Sequence, residues 1–204
     1  METLDLKKAL KHRYAPSARE VTEVTVPRMQ YLMIDGTGDP NTAPAYTEAV
    51  EALYAVAYTI KFAIKKGRAI DFPILPLEGL WWMDDMREYS MEKKDQWKWT
   101  MMIAQPDLVG AADVHSAVAE VKKKKDPPAL PLLRFDTLDE GDCAQIMHLG
   151  PYADEKPTIQ KLHAYIAARG ASLSGKHHEI YLGDPRRTAP EKLKTVIRQP
   201  FTKP

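Results

Sequence analysis

The segment His177-His178-Glu179-Ile180-Tyr181-Leu182-Gly183-Asp184-Pro185 carries the side chains best suited to chemistry. It reads as a short strand ended by an Asp-Pro turn. Alternation along a strand puts His177, Glu179 and Tyr181 on one side, with His178, Ile180 and Leu182 on the other. A carboxylate beside a tyrosine, turned away from the apolar side chains, lines either solvent or a pocket. In a pocket, partial desolvation raises its pKa and suits Glu179 to proton transfer. Tyr181 can then donate to the carboxylate or to a leaving oxygen. The same carboxylate can instead attract a cationic or electron-poor ligand, and left in water it is an ordinary edge-strand glutamate.

Four tryptophans, Trp81, Trp82, Trp97 and Trp99, fall on two strand-like segments close in sequence. Paired strands would crowd two or three indoles onto one sheet face, where rigid rings either stack on a flat ligand or plug the core. Trp97 and Trp99 share a face, whereas Trp81 and Trp82 oppose each other. His148-Leu149-Gly150-Pro151-Tyr152 is a strand-to-helix junction, and its Tyr152 either reaches a cleft or staples the helix cap. Adjacent His177 and His178 point oppositely and cannot share a metal. With no HExxH, CxxC or carboxylate cluster at ligand spacing, no metal site is expected. Neither a glycine-rich phosphate loop nor a GxSxG elbow is present, so no cofactor or nucleotide chemistry is expected.

Composition narrows the classes. The chain of 204 residues carries 29 Lys+Arg against 28 Asp+Glu, a balance that argues against direct nucleic-acid binding. Its one cysteine, Cys143, cannot form an internal disulfide and lies in an apolar strand pattern, which fits a buried, inert thiol in a reducing cytoplasm. No run is long enough to span a bilayer and the charged opening does not resemble a secretory signal, so a soluble cytoplasmic protein is expected.

The elements that must position these residues follow from periodicity. Leu4–His12 reads as a short helix ended by Pro16, and Arg28–Asp35 as a strand buried on both faces. Ala43–Lys66 is a long helix, with Tyr46, Val50, Leu53, Ala57, Ile60 and Ile64 at spacings of three and four and Gly67 as its stop. Phe72–Leu77 and Gly79–Met83 are strand-like, with Pro73 and Pro76 placing the first at an edge or bend. Asp84–Asp95 is a charged connection, and Trp97–Ala104 is again a strand. Ala111–Lys124 is a helix. Pro131–Leu138 and Asp142–Leu149 read as a hairpin through Asp139-Glu140-Gly141. Tyr152–Arg169 is a helix, and His177–Gly183 and Lys194–Arg198 are the last strands. A strand, a helix and two strands thus occur once in each half. The expected fold is α+β: duplicated β-α-β-β units forming a mainly antiparallel sheet, with helices on one face and a concave ligand cleft on the other.

Several of these residues together resemble the GyrI-like small-molecule-binding domain family. His148–Tyr152 matches its H-x-G-P-Y element, and Glu179-Ile180-Tyr181 with Asp184-Pro185 matches its penultimate strand. Pro76–Trp82, His177–Arg187 and Lys192–Pro200 are similar, almost residue for residue, to a stand-alone branch whose members are similar to cyclopropanoid hydrolases. The resemblance spans residues 24–200, in halves of about 24–125 and 130–200, and leaves 1–23 as an N-terminal helical extension. It implies a cleft that binds flat aromatic or hydrophobic small molecules. It further implies detoxification of DNA-alkylating compounds by adding water across a cyclopropane. Glu179 would then orient or deprotonate water, Tyr181 would assist, and the tryptophans and Tyr152 would hold the ligand. The alternatives are a binding, sequestering or sensing protein without chemistry, and a protein-binding adaptor like relatives that protect DNA gyrase. No helix-turn-helix accompanies the domain, so the family's regulator role is not implied; the oligomeric state is left open.

Overall fold

Apolar patterning and proline placement set most element boundaries in the computed structural model, which describes residues 1–84 and 93–203. The elements are β1 (Glu2–Thr3), α1 (Leu6–Ala9), α2 (Lys11–Tyr14), β2 (Thr22–Val26), β3 (Met29–Thr37), α3 (Pro44–Arg68), β4 (Ile70–Asp71) and β5 (Leu77–Trp82). They continue with β6 (Lys98–Gln105), α4 (Ala111–Lys124), β7 (Arg134–Leu138), β8 (Gly141–Leu149), α5 (Lys156–Ala167), β9 (Ser172–Leu173), β10 (His177–Tyr181) and β11 (Lys194–Thr202). The fold is α+β with mainly antiparallel strands, as the sequence predicts; β1 and β4 form a parallel pair. Two units divide the chain: Met1–Leu6, Met29–Leu75 and Trp81–Leu138 form the first, and Lys7–Arg28, Pro76–Leu80 and Asp139–Pro204 the second.

In the first unit β3 runs between β6 and β7, with Leu32 opposite both Ile103 and Phe135. Tyr31, Leu32, Met33 and Ile34 are all buried, as an apolar run in a central strand requires. Helix α3 lies on β3 and β6 through Leu53, Val56, Ala57, Ile60 and Ile64. Pro44 opens it, where a missing N–H does no harm, and Lys65, Lys66 and Arg68 close it, where the dipole favours cations. The turn that ends it is not Gly67 but Ala69, in the left-handed region at φ 56°. Lys61 and Lys65 both hold Asp71 at 2.7 Å, clamping β4 to the helix.

In the second unit β8 lies between β2 and β11, and β10 follows on the far side of β11. Leu77–Leu80 of β5 lies next to β10. Helix α5 packs Leu162 and Ile166 against Ala144, Ile146, Ile197 and Phe201. The other face of these strands carries Met147, Ile180 and Val196, against which Tyr14 and Leu182 pack.

The chain contains two β-α-β-β repeats, β3-α3-β5-β6 and β8-α5-β10-β11, with Leu77–Leu80 of β5 assigned to the second unit and Trp81–Trp82 to the first. In both, the first strand pairs with the last. The edge strands are exchanged: β2 precedes the first repeat but pairs with β8, while β7 precedes the second but pairs with β3. The expected hairpin through Asp139-Glu140-Gly141 is therefore absent. Its turn is held instead by the buried Glu140 carboxylate.

Other boundaries differ for local reasons. Phe72–Leu77 is not a strand: only Ile70–Asp71 is paired before it, and Pro73 and Pro76 withhold donors from a ladder. The Tyr152–Arg169 helix is a 3-10 turn at Tyr152–Asp154 followed by α5, with Pro157 at the helix start. Leu4–His12 is two one-turn helices, α1 and α2. Of the Asp84–Asp95 connection, residues 85–92 lie outside the described residues, and a 3-10 turn spans Lys94–Gln96.

On the face away from α5, His178 of β10 stands opposite Arg198 of β11. Its Nδ1 lies 2.8 Å from Glu140 and its Nε2 2.9 Å from Glu78. Both neighbours are acceptors, so both ring nitrogens carry protons and the ring is an imidazolium. The Tyr14 hydroxyl donates to Glu78 at 2.7 Å. Arg198 donates to Glu140, to the Gln145 amide oxygen and to the Arg13 carbonyl. Two cations and two anions thus neutralise one another, and α2 is tied to the sheet. Burial works against the His178 charge, but Glu140 and Glu78 outweigh it and push its pKa up to about 9. Burial likewise opposes the Glu140 charge, and His178 and Arg198 outweigh that to hold its carboxyl at about 2.

Two predictions follow from this packing. A Cβ on Gly36 would fall inside the ring of fully buried Trp99, so Gly36→Ala should destabilise by about 1–3 kcal/mol, read as a lower urea midpoint. The second concerns pH. The stabilisation from His178 is complete below its ordinary 6.5 and is lost as pH rises through about 9. The Glu140 contribution is complete above its ordinary 4.5 and is lost as pH falls through about 2. The wild-type urea midpoint should therefore decline from pH 6.5 to 9, and His178→Gln should flatten that decline while lowering stability by roughly 3–5 kcal/mol. A wild-type midpoint constant over this range would contradict the imidazolium.

Candidate functional site

Residue pairing decides which way Glu179 points. It stands opposite Ile197, and Ile197 packs against Leu162 and Ile166 of α5. Directly paired side chains share a face, so His177, Glu179 and Tyr181 point to the side that α5 covers. In this unit α5 therefore lies on the same side as Glu179.

The Glu179 carboxylate is surrounded by donors. His177 Nε2 lies 3.0 Å from Oε1, and the Tyr181 hydroxyl donates to Oε2 at 2.7 Å. Only 12% of the side chain remains exposed. Burial alone would raise the Glu179 pKa, but the His177 hydrogen bond and charge, then Tyr181 and Glu155, outweigh it and hold the pKa below the ordinary value. The expected rise is thus reversed. A desolvated carboxylate held by such donors stays ionised.

The raised carboxyl is Glu155, the residue before α5, which is 4% exposed. Burial first, and then the charge of Glu179, push its pKa up to about 10. Glu155 Oε1 and Thr195 Oγ1 are buried without a hydrogen bond among the described residues. Sequence reasoning missed Glu155: an acidic residue at a helix start is explained by the dipole alone, and no spacing rule links positions 155 and 179. Tyr152, at the opening of the same turn, packs edge-on against Tyr181 with centroids 5.5 Å apart. Its hydroxyl is pushed up to about 12 by burial and by Glu155, Glu179 and Asp184. On α5, burial and the His177 charge lower the pKa of His163.

The tryptophans gather in the first unit. Trp81 and Trp97 meet edge-to-face at 5.5 Å, and Tyr46 of α3 stacks on Trp81 and meets Trp99 edge-on at 5.5 Å. Trp81 and Trp97 keep 3% and 6% of their exposure, and Trp99 none. Trp82, on the opposite face of β5 from Trp81, is half-buried. Cys143 is buried, and burial together with the Glu140 charge pushes its thiol up to about 12, far from a nucleophile's range. Among the described residues no three His, Cys, Asp or Glu side chains are placed to hold a metal, and no helix is long and apolar enough to cross a membrane.

Three solved structures are similar along nearly the whole chain. An uncharacterized conserved protein from Listeria innocua is 36% identical with a TM-score of 0.90, covering 99% of this chain and 100% of its own. A hydrolase from Listeria innocua is 36% identical at a TM-score of 0.84, covering 99% and 100%. Another structure of a Listeria innocua hydrolase is 36% identical at 0.88, covering 98% and 100%. No curated protein matches the chain. A family model for the GyrI-like small molecule binding domain matches residues 19–201, which include the Glu155–Glu179 pair and all four tryptophans. On that span, the chain belongs to the GyrI-like small molecule binding domain family.

Proposed function

We propose that this protein binds flat aromatic or hydrophobic small molecules and hydrolyses those that carry a strained cyclopropane, removing genotoxic alkylators. One observation carries the reading: an ionised, nearly enclosed carboxylate at Glu179, held in place by His177 and Tyr181. Likeness over the whole chain to Listeria innocua hydrolases supports the choice of hydrolysis.

The chemistry balances without a cofactor. Water attacks a cyclopropane carbon, a ring C–C bond breaks, and the electron pair moves into the conjugated carbonyl of the ligand. Glu179 takes the proton from water, and the carbonyl oxygen gains one from solvent, so the net change is addition of one water. A fixed carboxylate orients that water, and general-base assistance of this kind contributes roughly 10²- to 10⁴-fold. Tyr181 acts through Glu179, since its hydroxyl donates to that carboxylate. Tyr152, which packs edge-on against Tyr181 in the same unit, supplies aromatic surface for a planar ligand beside Glu179.

A second reading rests on the same donors. The hydrogen bonds from His177 and Tyr181 weaken Glu179 as a base while preserving its charge, which suits a non-catalytic site that sequesters or senses electron-poor or cationic rings. Mass analysis after incubation with a cyclopropane-bearing alkylator separates the two: hydrolysis adds one water to the compound, and sequestration returns it unchanged. For the enzyme, Glu179→Gln should lower turnover by roughly 10²- to 10⁴-fold with ligand affinity within a few-fold of wild type. Equal loss of binding and turnover would contradict a base role.

A further inference from the structure

Helix α3 is apolar on two opposite sides, and the unit it belongs to covers only one of them. Leu53, Val56, Ala57, Ile60 and Ile64 are buried on the side that faces β3 and β6. At about 100° per residue, Tyr54, Tyr58 and Phe62 fall on the opposite side. Tyr58 and Phe62 are 47% and 56% exposed. Their rings stack with centroids 6.2 Å apart, and Tyr54 continues the column at 6.3 Å from Tyr58. A helix with apolar side chains all round is normally enclosed, and large aromatic surfaces gathered in water mark a docking face. Charges of opposite sign bracket the column. Glu51, one turn before Tyr54, is exposed and has no ion-pair partner among the described residues. Toward the other end, Lys61 and Lys65 share the carboxylate of Asp71, which leaves an excess positive charge there, and Lys65 stays 37% exposed.

We infer that this face of α3 pairs with the same face of a second copy of the chain, the two helices running antiparallel about a two-fold axis at Tyr58. The spacing selects this partner. Glu51, Tyr54, Tyr58, Phe62 and Lys65 follow one another at intervals of three, four, four and three, the rhythm of a helix–helix seam. The set is also symmetric about its centre. Under a two-fold axis Tyr58 meets the partner's Tyr58, Tyr54 meets the partner's Phe62, and Glu51 meets the partner's Lys65. Each copy thus brings its acid to the basic end of the other. A parallel pairing would set Glu51 against the partner's Glu51 and Lys65 against the partner's Lys65, so like charges reject it. The seam is about 21 Å long at 1.5 Å per residue. One helix face per copy lies at the low end of specific interfaces, near about 1,200 Å² in total, so the dimer dissociates in the micromolar range. Nothing in this pairing depends on the Glu179 reading, since the donors that hold that carboxylate, His177 and Tyr181, lie on β10.

Sedimentation velocity of the full chain, from low-micromolar to sub-millimolar concentration, should show monomer passing into dimer. Tyr58→Glu sets two carboxylates together on the axis and should raise the dissociation constant roughly 100-fold. Its urea midpoint should stay close to wild type, because the side chain faces outward. Glu51→Lys should raise the dissociation constant roughly two- to tenfold. Oxidative cross-linking reads the direction of the helices. A disulfide spans Cα separations of about 4.4–6.8 Å, so Tyr58→Cys, on the axis, should give a linked dimer. Glu51→Cys lies about 10 Å along the helix from the axis in each copy and should not. The native Cys143 is buried and supplies no competing thiol. A wild type that stays monomeric throughout would overturn the inference, as would a dimer undiminished by Tyr58→Glu. Linkage through Glu51→Cys would establish a parallel pairing and overturn the antiparallel one. A monomer that instead binds phosphatidylcholine vesicles, and loses them in Tyr58→Glu, would give the face to a membrane surface and overturn the dimer. Should Tyr58→Glu fail to fold, the two cysteine variants decide.

Discussion

A charge taken out of water must find partners or give up its ionisation, and β10 brings this constraint to three consecutive residues. His177, His178 and Glu179 all enter the protein interior. Strand alternation separates them onto two faces, and each face solves the problem differently. Away from α5, His178 is protonated and paired with two carboxylates, and Arg198 completes a neutral cluster. Beneath α5, Glu179 is ionised by donors while Glu155 is neutralised by keeping a proton. The first solution is saturated, since every named charged group has its counterpart. The second leaves buried polar atoms at Glu155 and Thr195 without hydrogen bonds. Such atoms are expensive in a core and common at functional sites, which supports placing the proposed site on this side of the strand.

Much of this was legible in the sequence. Apolar alternation located β3, β6, β8 and β10, and three-four spacing located α3, because burial acts on one residue at a time and leaves a periodic trace. The shared face of His177, Glu179 and Tyr181 followed from the same periodicity. Edge partners left no such trace. Thr22–Val26 went unassigned although it becomes β2, since its burial alternates between half-buried and exposed until Val26. The hairpin read through Asp139-Glu140-Gly141 failed because turn chemistry is local while pairing is not. Glu140 was taken as a turn residue, yet it is a buried ion whose partners, His178 and Arg198, lie far along the chain.

The pKa of Glu179 shows the same limit. Desolvation can be anticipated from a strand next to aromatic residues, and it does act in the expected direction. The sign of the net shift depends on the hydrogen bond from His177 above all, and then on Tyr181. In a low-dielectric site a single hydrogen bond can outweigh the surroundings. Composition and spacing carry no record of that bond.

The exchange of edge strands has a consequence for biosynthesis. Strand β2 leaves the ribosome more than a hundred residues before its partner β8, and β3 lacks one neighbour until β7 has been made. Neither unit therefore corresponds to one uninterrupted length of nascent chain. Their pairings span long sequence separations, which makes folding slow relative to a string of local hairpins. Until translation passes Leu149, the backbone donors and acceptors of Thr22–Val26 remain uncovered, a window in which unpaired strand edges invite association with other chains.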